Sequence, residues 1–176
     1  YQYAMEVIDG TVKPTRAISL IDPQRPRDVA ELLARFRDMP GVDYLGLDYI
    51  RNALGGDEMA DAFFEEMAAV ARPPSGWAGM SREERIVWLA RKRSMRRDAS
   101  FIDAWQWWRA RRAALAVNAI KTEVGDAKPL WAFTLTWDKG WHHGQDPVMM
   151  TDAGVDTDAL MLYEADGAQF NVILRD

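Results

Sequence analysis

Apolar runs and amphipathic stretches alternate along the chain and divide it into strands and helices. Near-continuous apolar runs bounded by turn residues predict four strands, at 15–21, 42–50, 129–137 and 157–164. Apolar residues at helical spacing predict helices at 26–39, at 57–71 with Asp57 as the capping residue, from the capping box Ser81–Glu84, at about 100–124 ending at Gly125, at 147–153 and from Gly167. Each predicted strand is therefore followed by a helix.

Apolar strands that alternate with helices are typical of a parallel sheet with both faces covered. The predicted fold class is therefore α/β, built from parallel βα repeats. Four such repeats are half of an eight-repeat barrel, which needs about 250 residues, whereas this chain has 176. The pattern leaves two architectures open, a part of a (β/α)8 barrel or an open sheet.

Composition excludes several functional classes. The chain has no cysteine, so disulfides, thiolate metal sites and thiol nucleophiles are ruled out. It has no apolar run of about 20 residues, and its first residues lack the features of a signal peptide, so we expect no membrane partner. The sequence has no glycine-rich phosphate loop, so nucleotide binding has no support, and we expect no cofactor. No serine stands in a nucleophile elbow.

Basic residues concentrate in one segment of an otherwise acidic chain. The net charge is −5, yet residues 82–112 hold ten Lys and Arg against four Asp and Glu. These basic residues alternate with apolar residues at helical spacing, which is typical of a solvated helix face. A nucleic-acid surface is the alternative, and the acidic remainder of the chain argues against it. We therefore expect no nucleic-acid partner.

A carboxylate stands at the end of each predicted strand. The four residues are Asp22, Asp48, Asp138 and Glu164. Ligands bind at the carboxyl ends of parallel strands, because the loops converge there. Asp22 and Asp138 have a simpler interpretation as turn caps. Asp48 and Glu164 lie within apolar runs, where a charge needs a partner, and for Asp48 that partner is either a ligand or Arg51 in a structural ion pair.

Aromatic residues accompany these strand ends. They are Tyr49, Trp137, Trp141 and Tyr163. Aromatic rings with a polar edge suit sugars, whose CH faces stack on the ring while their hydroxyls form hydrogen bonds. Core packing is the alternative for most of them, but Trp141 stands in a polar loop.

Both histidines stand side by side in the loop after the third predicted strand. His142 and His143, with Asp138 and Asp146 nearby, are residue types that ligate metals. Adjacent side chains usually point apart, so hydrogen bonding to a substrate and plain exposure are the alternatives. The sequence therefore favours no metal at this loop.

Short motifs in a fixed order carry a family resemblance. They are Gly46–Arg51 (GLDYIR), Trp107–Arg109, Lys128–Pro129, Gln145–Asp146, Gly154–Asp156 and Met161–Tyr163. In this order they resemble TIM-barrel glycoside-hydrolase-like proteins related to the α-amylase superfamily. The resemblance implies that the chain is the C-terminal half of such a barrel, a single domain spanning 1–176 with a helical insertion at about 55–100.

The resemblance implies a glycoside hydrolase that acts on a carbohydrate substrate. Asp48 is then a catalytic carboxylate oriented by Arg51, and the second acid is Glu164 or Asp138. We assign Asp48 as the nucleophile and Glu164 as the general acid. The residues expected to bind the sugar are Arg51, Tyr49, Trp137, Trp141, His142, His143 and Tyr163.

Two other functions stay open. One is a carbohydrate-binding barrel that uses its acids only to recognise hydroxyl groups. The other is a metal-dependent hydrolase with Asp138, His142, His143 and Glu164 around the metal. Open sheet edges also predict association, either as a homodimer or with the missing part of the barrel.

Overall fold

The computed structural model describes residues 1–51, 56–95, 97–134, 144–161, 167–168 and 171 of the chain. Its strands are β1 (Tyr3–Ile8), β2 (Thr11–Ile18), β3 (Leu45–Leu47), β4 (Leu130–Thr134) and β5 (Thr157–Leu160). Its α-helices are α1 (Gln24–Arg37), α2 (Ala60–Glu66), α3 (Arg82–Ser94), α4 (Ala99–Val124) and α5 (Pro147–Asp152). Short 3-10 turns span Asp57–Met59 and Trp77–Gly79. None of the helices in these described ranges is long and apolar enough to cross a bilayer.

Three strands form a parallel sheet in the order β3-β4-β5. Alternate residues of β3 and β4, Leu45 and Leu47 with Leu130 and Ala132, are buried on one face of this sheet. Apolar residues of α1, α4 and α5 pack against that face and complete a first core. Successive side chains of a strand point to opposite faces of the sheet, so these helices cover the face that carries Leu45, Leu47, Leu130 and Ala132.

The two N-terminal strands form a separate antiparallel hairpin. Ile8 pairs with Thr11, so the connecting loop is the dipeptide Asp9-Gly10. Both loop residues have positive φ, 51° and 77°. A two-residue hairpin loop of the favoured mirror-image kind requires positive φ there, and Asp-Gly supplies it at low cost. The local sequence is therefore sufficient to specify this turn.

A second, aromatic core lies between α2, α3 and α4. Phe63 is fully buried, and its ring contacts those of Phe101, Trp105 and Trp108 edge-on at centroid distances of 5.1 to 5.6 Å. Such edge-to-face pairs each contribute roughly 0.5–1.5 kcal/mol beyond the area they bury. The helix α4 carries residues of both cores, so it joins the aromatic region to the parallel sheet.

Local capping signals set the ends of several helices as the sequence predicts. Ser81 and Glu84 form the reciprocal hydrogen bonds of a capping box at the start of α3. Gly125 follows the last residue of α4, with a φ of 78° that favours glycine. Asp146 caps α5, and Pro147 occupies its first turn, where its missing N–H costs nothing. The predicted helix starting at the capping box and the predicted end at Gly125 are thus confirmed.

The predicted partial (β/α)8 barrel built from parallel βα repeats is wrong. The described residues form a two-stranded antiparallel sheet and a three-stranded parallel sheet, not an arc of barrel strands. The apolar run at 15–21, predicted as the first parallel strand, instead overlaps β2, which pairs antiparallel with β1. An apolar run indicates burial but specifies neither the direction nor the partner of a strand. The single domain with a helical insertion stays a prediction.

Candidate functional site

The carboxyl end of β3 carries the first candidate site. Asp48 directly follows β3 and is exposed, and its Oδ1 accepts a hydrogen bond from the backbone N–H of Tyr49 at 2.8 Å. Tyr49 has a φ of 50° and its side chain is 67% exposed. A left-handed backbone is uncommon for an aromatic residue, and such strain concentrates at functional sites. The chain therefore presents a carboxylate and a phenol side by side on a strained turn.

Two arginines hold this turn in place. The guanidinium of Arg25 donates to the carbonyl oxygens of Ile18 at 2.8 Å and Tyr49 at 3.0 Å. Burial lowers the pKa of Arg25 from its ordinary value. The guanidinium of Arg51 stacks over the Tyr49 ring, 5.6 Å from its centroid. These contacts tie the end of the hairpin to the end of β3.

A cavity of about 550 Å³ opens beside Tyr49. The end of β2, from Thr15 to Ile18, forms one side of it. The start of α1 forms another through Arg25 and Asp28, and the turn after β3 contributes Tyr49 and Arg51. This volume lies within the range of small-molecule sites, and the lining combines an aromatic ring with cationic groups. Asp48 stands next to this cavity in the chain.

The structural alternative for Asp48 does not hold among the described residues. Their ion pairs do not include one between Asp48 and Arg51. Asp48 instead bonds to its neighbour's backbone, and Arg51 stacks on Tyr49. The structure thus brings together Asp48, Tyr49 and Arg51. The other predicted site residues lie outside the described residues: Asp138, Glu164, Trp137, Trp141, His142, His143 and Tyr163.

Asp22 has the turn-capping role that was its simpler interpretation. Its carboxylate accepts a hydrogen bond from the backbone N–H of Gln24 at 2.8 Å and another from the backbone N–H of Gln2. These hydrogen bonds, that of Gln2 first, hold the pKa of Asp22 below its ordinary value. Asp22 therefore fixes the N-terminus and the start of α1.

A cluster of buried charges was missed by the sequence analysis. Asp57 is 1% exposed, and its Oδ2 accepts a hydrogen bond from Arg93 Nη2 at 3.1 Å. Burial raises the pKa of Asp57, and the nearby charge of Arg93 opposes that rise. Arg109 is also buried, and desolvation lowers its pKa to about 10. Charges this deeply buried must be paired, because an isolated charge there costs several kcal/mol.

Glu58 belongs to the same buried cluster. Its Oε1 accepts a hydrogen bond from the Ser19 hydroxyl at 2.6 Å and its Oε2 accepts one from the backbone N–H of Met5 at 2.7 Å. Burial raises the pKa of Glu58 despite these hydrogen bonds. Glu58 thus links β1, the residue after β2 and the 3-10 turn.

The prediction that Asp57 caps a helix is wrong. Asp57 lies inside the 3-10 turn that follows Gly56, and no side-chain capping hydrogen bond forms there. Its partner Arg93 lies 36 residues later in the chain. The available signal was the Asp-Glu pair at the head of an aromatic helix, together with the basic segment at 82–112. Capping rules consider only the nearest residues, so they could not identify this pair.

The described residues offer no metal site. They contain no group of three or more His, Asp or Glu side chains that could hold a metal ion. The metal-dependent alternative involves Asp138, His142, His143 and Glu164, which lie outside the described residues. It stays a prediction from the sequence.

Comparisons with known proteins give no identification. No protein-family description, no curated protein and no solved structure matches this chain. The resemblance to glycoside-hydrolase-like proteins therefore rests on the short motifs alone and stays a prediction.

Proposed function

We propose that this chain acts on a carbohydrate as a glycoside hydrolase, with Asp48 as the nucleophilic carboxylate. One observation carries the proposal: an exposed carboxylate stands at the carboxyl end of a buried parallel strand, directly before a strained and exposed tyrosine. Binding sites on parallel sheets lie at this edge of the sheet. Strain of this kind persists only where the surrounding contacts impose it, and it concentrates at functional sites.

The proposed reaction needs two carboxyl groups. Asp48 attacks the anomeric carbon, the bond to the leaving oxygen breaks, and a protonated acid gives its proton to that oxygen. Water then takes the place of Asp48, losing a proton to the same acid, now a base, so the acid is regenerated. Glu164 is our proposed acid, from its place at the end of the fourth predicted strand. Catalysis of this kind depends on the carboxylates and does not require a closed barrel.

The neighbours of Asp48 have supporting roles in this proposal. The exposed ring of Tyr49 offers a flat face against which the CH groups of a sugar stack. The guanidinium of Arg51 stacks over that ring, 5.6 Å from its centroid. The cavity of about 550 Å³ beside them has room for a sugar unit. Asp48 precedes Tyr49 in the chain, and in this proposal the sugar bound beside Tyr49 meets its carboxylate.

Replacing the proposed nucleophile tests this function. We expect Asp48→Asn to lower the turnover of responsive aryl glycosides by about 10³-fold or more, because the amide cannot attack the anomeric carbon. Asp43→Asn, an exposed aspartate just before β3, is the matched control and should keep full activity. Thermal unfolding of both variants verifies that the fold is retained.

Chemical rescue by azide distinguishes a nucleophilic Asp48 from an Asp48 that only binds the substrate. In Asp48→Gly the space left by the carboxylate should admit azide, which attacks the activated glycoside and restores turnover as a glycosyl azide. Undiminished hydrolysis by Asp48→Asn would overturn the proposal. Saturable sugar binding with no turnover in the unmodified chain would instead identify a carbohydrate-binding protein.

A further inference from the structure

The cavity beside Tyr49 has a positively charged lining. Its described lining includes the side chains of Arg16, Arg25 and Arg51 but only one acid, Asp28. The three arginines belong to β2, to α1 and to the turn after β3, so they meet only in the folded chain. Three guanidinium charges against one carboxylate favour an anionic ligand over a neutral one.

The acid of this lining is engaged by groups other than the arginines. Asp28 Oδ2 accepts a hydrogen bond from the Tyr1 hydroxyl at 2.6 Å, and its Oδ1 accepts one from Gln24 Nε2 at 2.8 Å. These hydrogen bonds, that of Tyr1 first, hold the pKa of Asp28 below its ordinary value. Both oxygens of Asp28 thus have partners outside the arginine cluster.

Burial makes the charge of Arg25 costly. Its guanidinium donates to the carbonyl oxygens of Ile18 and Tyr49, which orient the group but carry no full negative charge. Desolvation lowers the pKa of Arg25 from its ordinary value. An anion bound in the cavity would offset this cost, because a nearby opposite charge favours the charged form of a buried group.

Arg16 brings a solvent-exposed cation to the same cavity. It lies on β2 and is exposed, and the ion pairs among the described residues do not include it. The planar fork of a guanidinium binds a carboxylate or a sulfate through parallel N–H groups. Arg16 is therefore placed to bind an anionic group that enters from solvent.

We propose that the sugar bound beside Tyr49 is acidic and carries a carboxylate or a sulfate group. This assignment rests on the proposed function, whose substrate class it names. The exposed ring of Tyr49 contacts the CH face of the sugar, and the guanidinium of Arg16 binds the anionic group. Glycosides of uronic acids and of sulfated sugars share this chemistry.

Calorimetric titration with matched sugars tests the acidic substrate. The chain carrying Asp48→Asn, in which turnover does not interfere, is titrated with the methyl glycosides of glucuronic acid, galacturonic acid and glucose 6-sulfate. The neutral counterparts are the methyl glycosides of glucose and galactose. We expect at least one acidic sugar to bind about tenfold or more tightly than its neutral counterpart at low salt, because hydrogen bonds between charged groups are the stronger ones. Added salt should reduce this difference.

Two substitutions in the lining should act in opposite directions. Arg16→Gln removes a cation and should weaken the binding of the acidic sugar by about threefold or more, whereas Asp28→Asn removes the acid and should strengthen it. Arg27→Gln is the matched control, because Arg27 is also exposed but lies outside the lining. Arg27→Gln makes the same change in net charge and should leave binding unchanged.

Several outcomes overturn the acidic substrate. They are the failure of all the sugars to bind, equal binding of acidic and neutral sugars, and a preference that Arg16→Gln reduces no more than Arg27→Gln does. Acetate or sulfate ions that bind as tightly as the acidic sugars also overturn it.

Turnover of nitrophenyl glycosides of the same sugars by the unmodified chain separates this assignment from the proposed hydrolysis. Faster hydrolysis of the neutral glycosides contradicts the acidic substrate and leaves the hydrolase in place. Selective binding of an acidic sugar without any turnover supports the acidic ligand and contradicts hydrolysis alone.

Discussion

Tyr49 shows how a single residue is held in an unfavourable conformation by its neighbours. Its left-handed backbone costs roughly 1–2 kcal/mol for a residue with a side chain. Its carbonyl accepts a hydrogen bond from the Arg25 guanidinium, and its N–H donates to the Asp48 carboxylate. Hydrogen bonds to charged groups contribute about 1.5–3 kcal/mol, enough to offset the strain. The turn after β3 is therefore fixed by charges on both of its sides.

Replacing Tyr49 by glycine and by alanine measures this strain. Both changes remove the ring and its contact with Arg51, but only glycine adopts a positive φ without cost. We expect Tyr49→Gly to have a free energy of unfolding about 1 kcal/mol greater than that of Tyr49→Ala, measured by urea denaturation. Tyr44, also exposed but without a positive φ, is the control. At Tyr44 the alanine variant should be the more stable of the two. A glycine variant that is more stable at both positions would contradict the proposed backbone strain at Tyr49.

At the scale of elements, β3 and β4 fit together through a glycine and a tryptophan. Gly46 pairs with Trp131 in the parallel register. A Cβ atom at Gly46 would lie 2.3 Å from the Trp131 ring, far inside contact distance. The ring also packs edge-on against Phe133 at 4.8 Å, so it has little freedom to move away. Glycine within a strand often marks such a close approach.

Gly46→Ala should therefore destabilise the parallel sheet. We expect a loss of about 1–3 kcal/mol in the free energy of unfolding, because the methyl group forces the Trp131 ring out of place. In the Trp131→Ala background the same change should cost much less, as a double-mutant cycle in urea would show. Gly79→Ala is the control, since no atom lies near its Cβ position. Equal stability of the two alanine variants would be the contradicting result.

At the scale of the whole molecule, buried carboxylates connect separate parts of the chain. Glu58 bonds to β1 and to Ser19, and Asp57 bonds to the end of α3. Both carboxyl groups have a pKa raised by burial. The folded chain consequently binds more protons than the unfolded chain at pH values between the ordinary and the raised pKa. The contribution of these groups to stability therefore declines as pH rises through that interval.

Glu58→Gln should remove one part of this pH dependence. The amide is neutral at every pH, so it avoids the cost of ionising a buried acid. We expect the stability of the unmodified chain relative to Glu58→Gln to fall as pH rises from about 4.5 through the raised pKa, in urea denaturation at a series of pH values.

Asp156→Asn is the comparison variant, because its pH dependence of stability should have the opposite sign to that of Glu58→Gln. The hydrogen bond from the backbone N–H of Leu130 lowers the pKa of Asp156, and Lys121 adds to this effect. The contribution of Asp156 to stability is thus present above its ordinary pKa and is lost as pH falls through the lowered value.

For Glu58, a difference in free energy of unfolding between the unmodified chain and Glu58→Gln that stays constant across the pH series would contradict the burial argument.

The helix signals succeeded because they act over a few residues. Ser81 and Glu84 bond to each other, and Gly125 ends α4 by its own backbone preference. The hairpin has an equally local signal in Asp9-Gly10, which the apolar pattern of the strands does not reveal. Asp48 was predicted to lie within an apolar strand, where its charge would need a partner, but it follows β3 and is exposed beside Tyr49, so its role in a site stays a prediction.

The sequence by itself determined the start of α3, the end of α4 and the turn of the hairpin. Only the tertiary structure decided that the apolar run near residue 18 pairs antiparallel with β1, and that Asp57 meets Arg93 across 36 residues. The physical reason is the separation along the chain between the residues that interact. Capping and turn formation involve residues that are neighbours in the chain. The partner of a strand or of a buried charge instead depends on which distant segments pack together and exclude water.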